Sequence, residues 1–174
     1  VAQDAPNGIT WTFNSGSEAF NSIPAGQTLI LTYTVRATDS QGASVDQPVT
    51  ITITGTNDGV VAVNDTLTIA ENATGAALGG NVLSNDTLDP DVGATTTVSS
   101  FSLDADGNGL QDVFTPGTPV TVTTPSGTLG VLTMASNGAY TFTPHQANYS
   151  GPVPVIAYTL SSSTGETATA TLTL

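Results

Sequence analysis

The chain has 174 residues, with 14 acidic side chains against a single base, Arg36, for a formal charge of −13, and no cysteine. Without cysteine there are no disulfides, thiolate metal sites or cysteine nucleophiles. One base cannot neutralise the phosphates of a nucleic acid or the headgroups of an anionic membrane, so neither is an expected partner.

Apolar and polar residues alternate along most of the chain, with Thr on the polar side, which is the period of half-buried strands. In chain order the pattern predicts strands at Ile9–Phe13, Leu29–Val35, Val49–Thr54, Val60–Val63, Thr66–Ile69 and Thr96–Leu103. It continues at Val120–Val122, Thr128–Met134, Ala139–Phe142, Val155–Leu160 and Thr167–Leu174. Thr and Val are stiff at χ1 and favour strands over helices. Gly, Pro, Asn and Asp punctuate the gaps, and Asn137-Gly138 predicts a hairpin between Val131–Met134 and Ala139–Phe142. No window carries a helical apolar stripe. Only 9% of residues are charged and 38% are hydrophobic, with a period, so a folded all-β chain is expected rather than a disordered one. No apolar run approaches the roughly 18 residues of a membrane-spanning helix, and no basic-then-apolar leader opens the chain. Membrane insertion is not expected, and the chain reads as a processed piece of something larger.

The chain also repeats itself. Tyr33-Thr34-Val35, a polar turn ending at Gly42, and Val49–Thr54 form one copy; Tyr158-Thr159-Leu160, a turn ending at Gly165, and Ala168–Thr173 form the second. Each copy reads as the closing hairpin of a β-sandwich. Residues 1–58 are then the C-terminal part of one sandwich and residues 59–174 a complete immunoglobulin-like one, two domains in tandem. The first segment is too short for a stable sandwich, and its missing strands are either cut off or supplied from elsewhere, for example by strand exchange.

Acidic and amide residues cluster in four turns. Asp104, Asp106, Asn108 and Asp112, spaced with Gly107 and Gly109, match positions 1, 3, 5 and 9 of an EF-hand-style calcium loop. The bidentate Glu of position 12 is replaced by Thr115, and a solvated Asp/Asn/Gly turn is the alternative reading. Asn57-Asp58 lies in the linker, Asn85-Asp86 and Asp89-Pro90-Asp91 lie in a later loop, and Asp39 lies in the turn before Gly42. If two sandwiches join end to end, the Asp39 turn, the linker and a loop of the second domain meet at one junction. Carboxylates packed there repel in a chain with one base, and Ca²⁺, which takes six to eight oxygens, relieves them. Asp65, Glu71 and Asp86 are further candidates, with solvated surface the simpler reading.

These residues carry a resemblance to known repeats. The stretch from Tyr33-Thr34-Val35 through Asp39 and Gly42 to Gly55-Thr56-Asn57-Asp58 resembles the end of a VCBS-type repeat. Asn81-Val82-Leu83-Ser84-Asn85-Asp86 followed by Asp89-Pro90-Asp91 resembles the opening of bacterial cadherin-like repeats, and Gly127-Thr128-Leu129, Tyr140–Pro144, Tyr149–Pro152 and Tyr158-Thr159 are similar to their remainder. The resemblance implies cadherin-like, immunoglobulin-like extender domains of RTX-type adhesins, exported by type I secretion to the surface of Gram-negative bacteria. Neighbouring repeats of the same chain are the implied partners and Ca²⁺ the implied cofactor. By motif, the junction ligands fall on Asp39, Asn57, Asp58, Asp89 and Asp91. The linker lacks the leading Asp of the cadherin motif, having Gly55 and Thr56 upstream. The Ser161–Thr164 turn has no counterpart to Asp39.

Catalysis is not expected. His145 is the one imidazole and follows a strand in Thr143-Pro144-His145-Gln146, and no G-x-S-x-G elbow occurs. The carboxylates sit in turns rather than facing across a cleft as a glycosidase requires. Trp11 and Tyr149 suit core packing better than a sugar platform. A calcium-dependent carbohydrate- or peptide-binding module is the alternative to an extender.

Overall fold

The Thr- and Val-rich alternation folds into strands throughout the computed structural model, which describes residues 11–70, 73, 75–146, 149 and 151–174. In chain order these are β1 (Thr28–Thr38), β2 (Ser44–Thr54), β3 (Asp65–Thr66), β4 (Leu78–Asn81), β5 (Thr96–Leu103) and β6 (Asp112–Phe114). β7 (Val120–Thr124), β8 (Gly127–Met134), β9 (Ala139–Pro144), β10 (Ile156–Ser162) and β11 (Thr167–Thr173) follow. Among the described residues none is helical, so there is no helix long and apolar enough to cross a membrane.

β1 and β2 form a two-stranded sheet of their own. The other nine strands make a β-sandwich with one sheet in the order β3-β11-β10-β5-β6 and the other in the order β4-β9-β8-β7. Every pairing is antiparallel except β3 with β11. Side chains alternate across each strand, so β10 buries Ile156, Tyr158, Leu160 and Ser162 on one face. Val98, Phe101 and Leu103 of β5 join these in one core with Leu132 and Met134 of β8 and Phe142 of β9. Phe101 stacks on Phe114 of β6 with ring centroids 5.5 Å apart. The immunoglobulin-like sandwich expected for the later part of the chain is therefore what forms there.

All three sequence-local hairpins named by the turn residues close in one way. Asp39 N–H donates to Ala43 O, Ala135 N–H to Ala139 O, and Ser162 N–H to Glu166 O, each spanning a three-residue loop. The last loop residue is Gly42, Gly138 or Gly165, at φ of 90°, 82° and 103°. This left-handed region is where glycine is tolerated at no steric cost.

Three expected strands change, and two strands are missed. Ile9–Phe13 was expected as a strand; Trp11–Phe13 is irregular, and Ile9 and Thr10 lie outside the described residues. Val60–Val63 reduces to a single bridge, Val61 to Thr87, and Thr66–Ile69 to the two-residue β3. The sequence pattern misses β4 and β6. β4 reads Leu-Gly-Gly-Asn, which looks like a loop, yet a side chain at Gly79 would collide with the Tyr140 carbonyl of β9. Close strand approach, not turn formation, demands glycine there.

Candidate functional site

The acidic turns do not behave alike, and their hydrogen bonds separate them. Arg36 is spent on Asp46, its cross-strand neighbour near the tip of the β1–β2 hairpin, through bonds of 2.6 and 2.7 Å. The pair raises the Arg36 pKa and lowers that of Asp46. Every other acidic turn must be stabilised without a lysine or arginine.

At the base of the hairpin the chain converges on a junction. Gly55 hydrogen-bonds Gln27 and Gly26, closing the hairpin where the linker begins. In the linker, Asn57 donates its side-chain Nδ2–H to Glu166 Oε1 of the β10–β11 turn at 2.9 Å. The loop between β4 and β5 reaches the same place: Val92 N–H donates to Ser22 O at 3.2 Å, tying this loop to the segment before β1. The linker is thus anchored to the β10–β11 turn and the Asp89–Asp91 loop to the segment before β1.

Within that loop the two aspartates have opposite fates. Asp89 is saturated. Its Oδ1 accepts the Asp91 N–H at 3.0 Å, and its Oδ2 accepts the hydroxyls of Ser162 and, at 2.5 Å, Thr164. Hydrogen bonds from Ser162, Thr164 and the Asp91 amide hold its pKa below the usual carboxylate range. Asp91 is only 4% exposed, and neither of its carboxylate oxygens has a hydrogen-bond partner. Burial pushes its pKa up, the charges of Asp89 and Asp58 add to this, and the nearby Asp58 amide opposes without reaching hydrogen-bond geometry. A buried, unpartnered carboxylate costs free energy unless it is protonated or meets a cation. Asp91, with Asp58 and Asp89 around it, is therefore a place whose chemistry fits Ca²⁺. Among the described residues no three acids or imidazoles form a ready-made cage. An ion at Asp91 would complete its shell from backbone carbonyls, Asn57 and water.

The remaining sequence candidates lie elsewhere. Asp39 sits in the far turn of the hairpin, where its Oδ1 accepts Gln41 and Ala43 amides at 2.9 and 2.8 Å. The full length of β1, roughly 30 Å at strand rise, separates it from the linker. Asp39 is thus not brought together with Asn57, Asp58, Asp89 and Asp91; the place expected for its turn is taken by the segment around Ser22. In the Asp104–Asp112 loop, Asp104 accepts amides of Gly107, Asn108 and Gly109, and Asp106 accepts the amide and side chain of Asn108. Asn108 accepts Leu110 N–H, and Asp112 accepts Ala105 N–H. The loop's oxygens brace its own backbone, as in the Asp/Asn/Gly turn reading. Glu71 lies outside the described residues.

Sequence reading missed two groups. Ser162 and Thr164 were seen only as lacking an acid, although two hydroxyls aimed at one carboxylate are its natural partners. Asp65 and Asp86, further ligand candidates whose simpler reading is solvated surface, are both partly buried. Asp65 accepts the Tyr158 hydroxyl at 2.8 Å, and Asp86 accepts Val63 N–H at 2.7 Å while its Oδ2 is buried without a partner. Burial raises both pKa values, and burial together with Asp65 drives that of Tyr158 far up.

Residues 57–174 match the family model described as bacterial Ig domain, which is more than half of the chain. No curated protein matches the chain.

Proposed function

The chain belongs to the bacterial Ig domain family, and from that premise we propose that it is a calcium-stabilised structural extender of a large secreted adhesin. Bacterial Ig-like domains occur in surface and extracellular proteins and suit a structural spacer. In the proposed role the module holds a distal binding domain away from the cell, in adhesion and biofilm, with neighbouring repeats of the same chain as its partners. The RTX-type, cadherin-like character and type I export to a Gram-negative surface belong to this proposal. So does the division into the closing part of one sandwich, residues 1–58, and a complete one, residues 59–174.

The observation that carries the calcium reading is Asp91, buried to 4% exposure at the linker with both oxygens unpartnered. Bound Ca²⁺ supplies a double positive charge to oxygen ligands. Asp91 and Asp58 would hold it, while Asp89, saturated by Ser162 and Thr164, positions the loop from behind. Because the loop is also bonded to Ser22 and the linker to Glu166, an ion there stiffens the hairpin base against the sandwich. The reading includes no catalytic activity; His145 is exposed and donates its backbone N–H to Leu129 O at 2.8 Å.

Thermal melts and small-angle scattering in EGTA and in millimolar CaCl₂ test it. The expected result is a higher melting temperature and a longer, stiffer particle with calcium. Identical melts and scattering in both buffers would overturn the calcium reading. Calcium-dependent capture of a glycan or peptide would favour a binding module instead.

A further inference from the structure

The chain enters the sandwich along a path that changes partner. Val61 exchanges both backbone bonds with Thr87, at 2.9 Å each, in the loop after β4 of the four-stranded sheet. Four residues later Asp65 and Thr66 pair instead with Leu172 and Thr173 of β11, in the five-stranded sheet, and Leu67 N–H donates to Thr173 O at 2.8 Å. Between these points the backbone crosses from one sheet to the other, and its polar groups need partners there that no ladder supplies. Side chains supply them. Asp86 Oδ1 accepts Val63 N–H at 2.7 Å, and Asn85 Nδ2–H donates to Asn64 O at 3.2 Å. The Tyr158 hydroxyl lies 3.0 Å from Val63 O and 2.8 Å from Asp65 Oδ2. Asn64 Oδ1 in turn accepts Thr171 N–H of β11 at 3.0 Å. The crossing is thus fastened at once to β11, to the central strand β10 and to the loop after β4.

Strand direction decides how this fastening meets a load. β3 with β11 is the one parallel pairing among the described residues, and it joins the first strand of the sandwich to the last. A pull on the two ends of residues 57–174 draws the segment leading into β3 back toward the linker and draws β11 forward toward Leu174. The two then slide past one another, and the bonds between them share the load. An antiparallel hairpin responds differently. Thr28 and Thr54, the ends of β1–β2, lie opposite each other, so the same pull there opens the ladder one pair at a time.

We propose that the crossing at Val63–Asp65, held by Asn85, Asp86, Tyr158 and Thr171, is the mechanical latch of this module. Together with the β3–β11 pair it carries tension between the linker and Leu174, and the sandwich unfolds under force only after it breaks. The inference rests on the extender reading for its use, since a spacer that holds a binding domain away from the cell is loaded along its length. It does not rest on calcium, so it is tested in EGTA. Melts that ignore calcium would overturn the calcium reading and leave the expectations below as they are.

The chain has no cysteine, so the full chain can be held at two chosen points and its lifetime measured at constant force. Thr56→Cys with a cysteine added after Leu174 pulls end against end. Thr56→Cys with Thr167→Cys pulls apart the same end of the two parallel segments, since Thr167 follows Glu166, the partner of Asn57. The end-to-end pull is expected to give a lifetime roughly tenfold longer or more at the same force. In that geometry Tyr158→Phe and Asn64→Ala, which loosen the crossing, should each shorten the lifetime about tenfold. Val122→Ala truncates a fully buried side chain on β7, an edge strand of the other sheet. It should leave the lifetime within about twofold while lowering urea stability as much as the other two. The comparison of attachment points needs none of these variants, so the outcome does not hang on how they fold. Equal lifetimes for the two attachments overturn the proposal. So do lifetimes that follow urea stability wherever the substitution lies.

Discussion

Tyr158 donates its hydroxyl proton to Asp65 Oδ2 at 2.8 Å, with the Val63 carbonyl 3.0 Å from the same oxygen. The bond joins the central strand β10 to the short strand β3 across the intervening β11. A tyrosine exposed by only 1% must place its hydroxyl somewhere, and a half-buried carboxylate is a strong acceptor. Tyr158→Phe keeps the ring and deletes the bond. We expect a loss of about 1–3 kcal/mol in urea unfolding with the m-value unchanged. The Asp65 carboxyl, deprived of the donor that lowers its pKa, should titrate higher by NMR.

The acidic interior sets a pH profile. Asp65, Asp86 and Asp91 are pushed up, chiefly by burial, whereas unfolded aspartates titrate near 3.9. Between the unfolded and the raised folded values the folded state binds more protons, so stability grows as pH falls through the folded values. Asp89 and Asp46 run the other way: held low, they add stability above the unfolded pKa that is lost only as pH falls through their depressed folded values. In EGTA the melting temperature is expected to rise as pH falls from neutrality through the raised folded values of these aspartates, and to fall again only below the unfolded carboxylate range, where Asp89 and Asp46 lose their contribution. A steady fall from pH 7 downward would contradict this, and Asp86→Asn should flatten the rise.

Gly79 in β4 lies against the backbone of Tyr140, and a Cβ there would meet the Tyr140 carbonyl. Gly79→Ala forces β4 away from β9. The expected cost is about 1–3 kcal/mol, read from chemical unfolding, while alanine at the linker residue Gly59, where a Cβ meets open space, should cost less than about 1 kcal/mol.

The two equivalent hairpins should respond unequally to truncation. Leu160 is fully buried, and Leu160→Ala is expected to cost about 2–5 kcal/mol. Val35, its half-buried counterpart, should cost less than about 1.5 kcal/mol when cut to alanine. Equal costs would mean that the β1–β2 face is covered in solution.

Most of the fold was legible because it rests on period-two alternation, which Val49–Thr54 and Thr167–Leu174 display without interruption. β4 escaped because close approach to Tyr140 requires glycines, which read as a turn, and β6 because three residues carry no period. The junction was half legible. Asn57-Asp58 and Asp89–Asp91 could be placed together from their position between repeats, but Asp39 was assigned to the wrong end of its hairpin. Chain order says which turn precedes a strand; strand direction decides which end of the sheet that turn occupies. The split between a saturated Asp89 and an orphaned Asp91 was invisible, since it depends on Ser162 and Thr164, more than seventy residues away.

The central claim is that Asp91 is a cation ligand, and calorimetric titration of Ca²⁺ into the chain and into Asp91→Asn tests it most directly. The unaltered chain is expected to bind with a dissociation constant of about 10⁻⁴–10⁻³ M, and a parallel melt should rise. Asp91→Asn should abolish the binding heat at the junction and melt higher than the unaltered chain in EGTA at neutral pH, because the buried charge is gone. Calcium binding that survives Asp91→Asn but is lost in Asp104→Asn would contradict the claim and move the site to the Asp104–Asp112 loop.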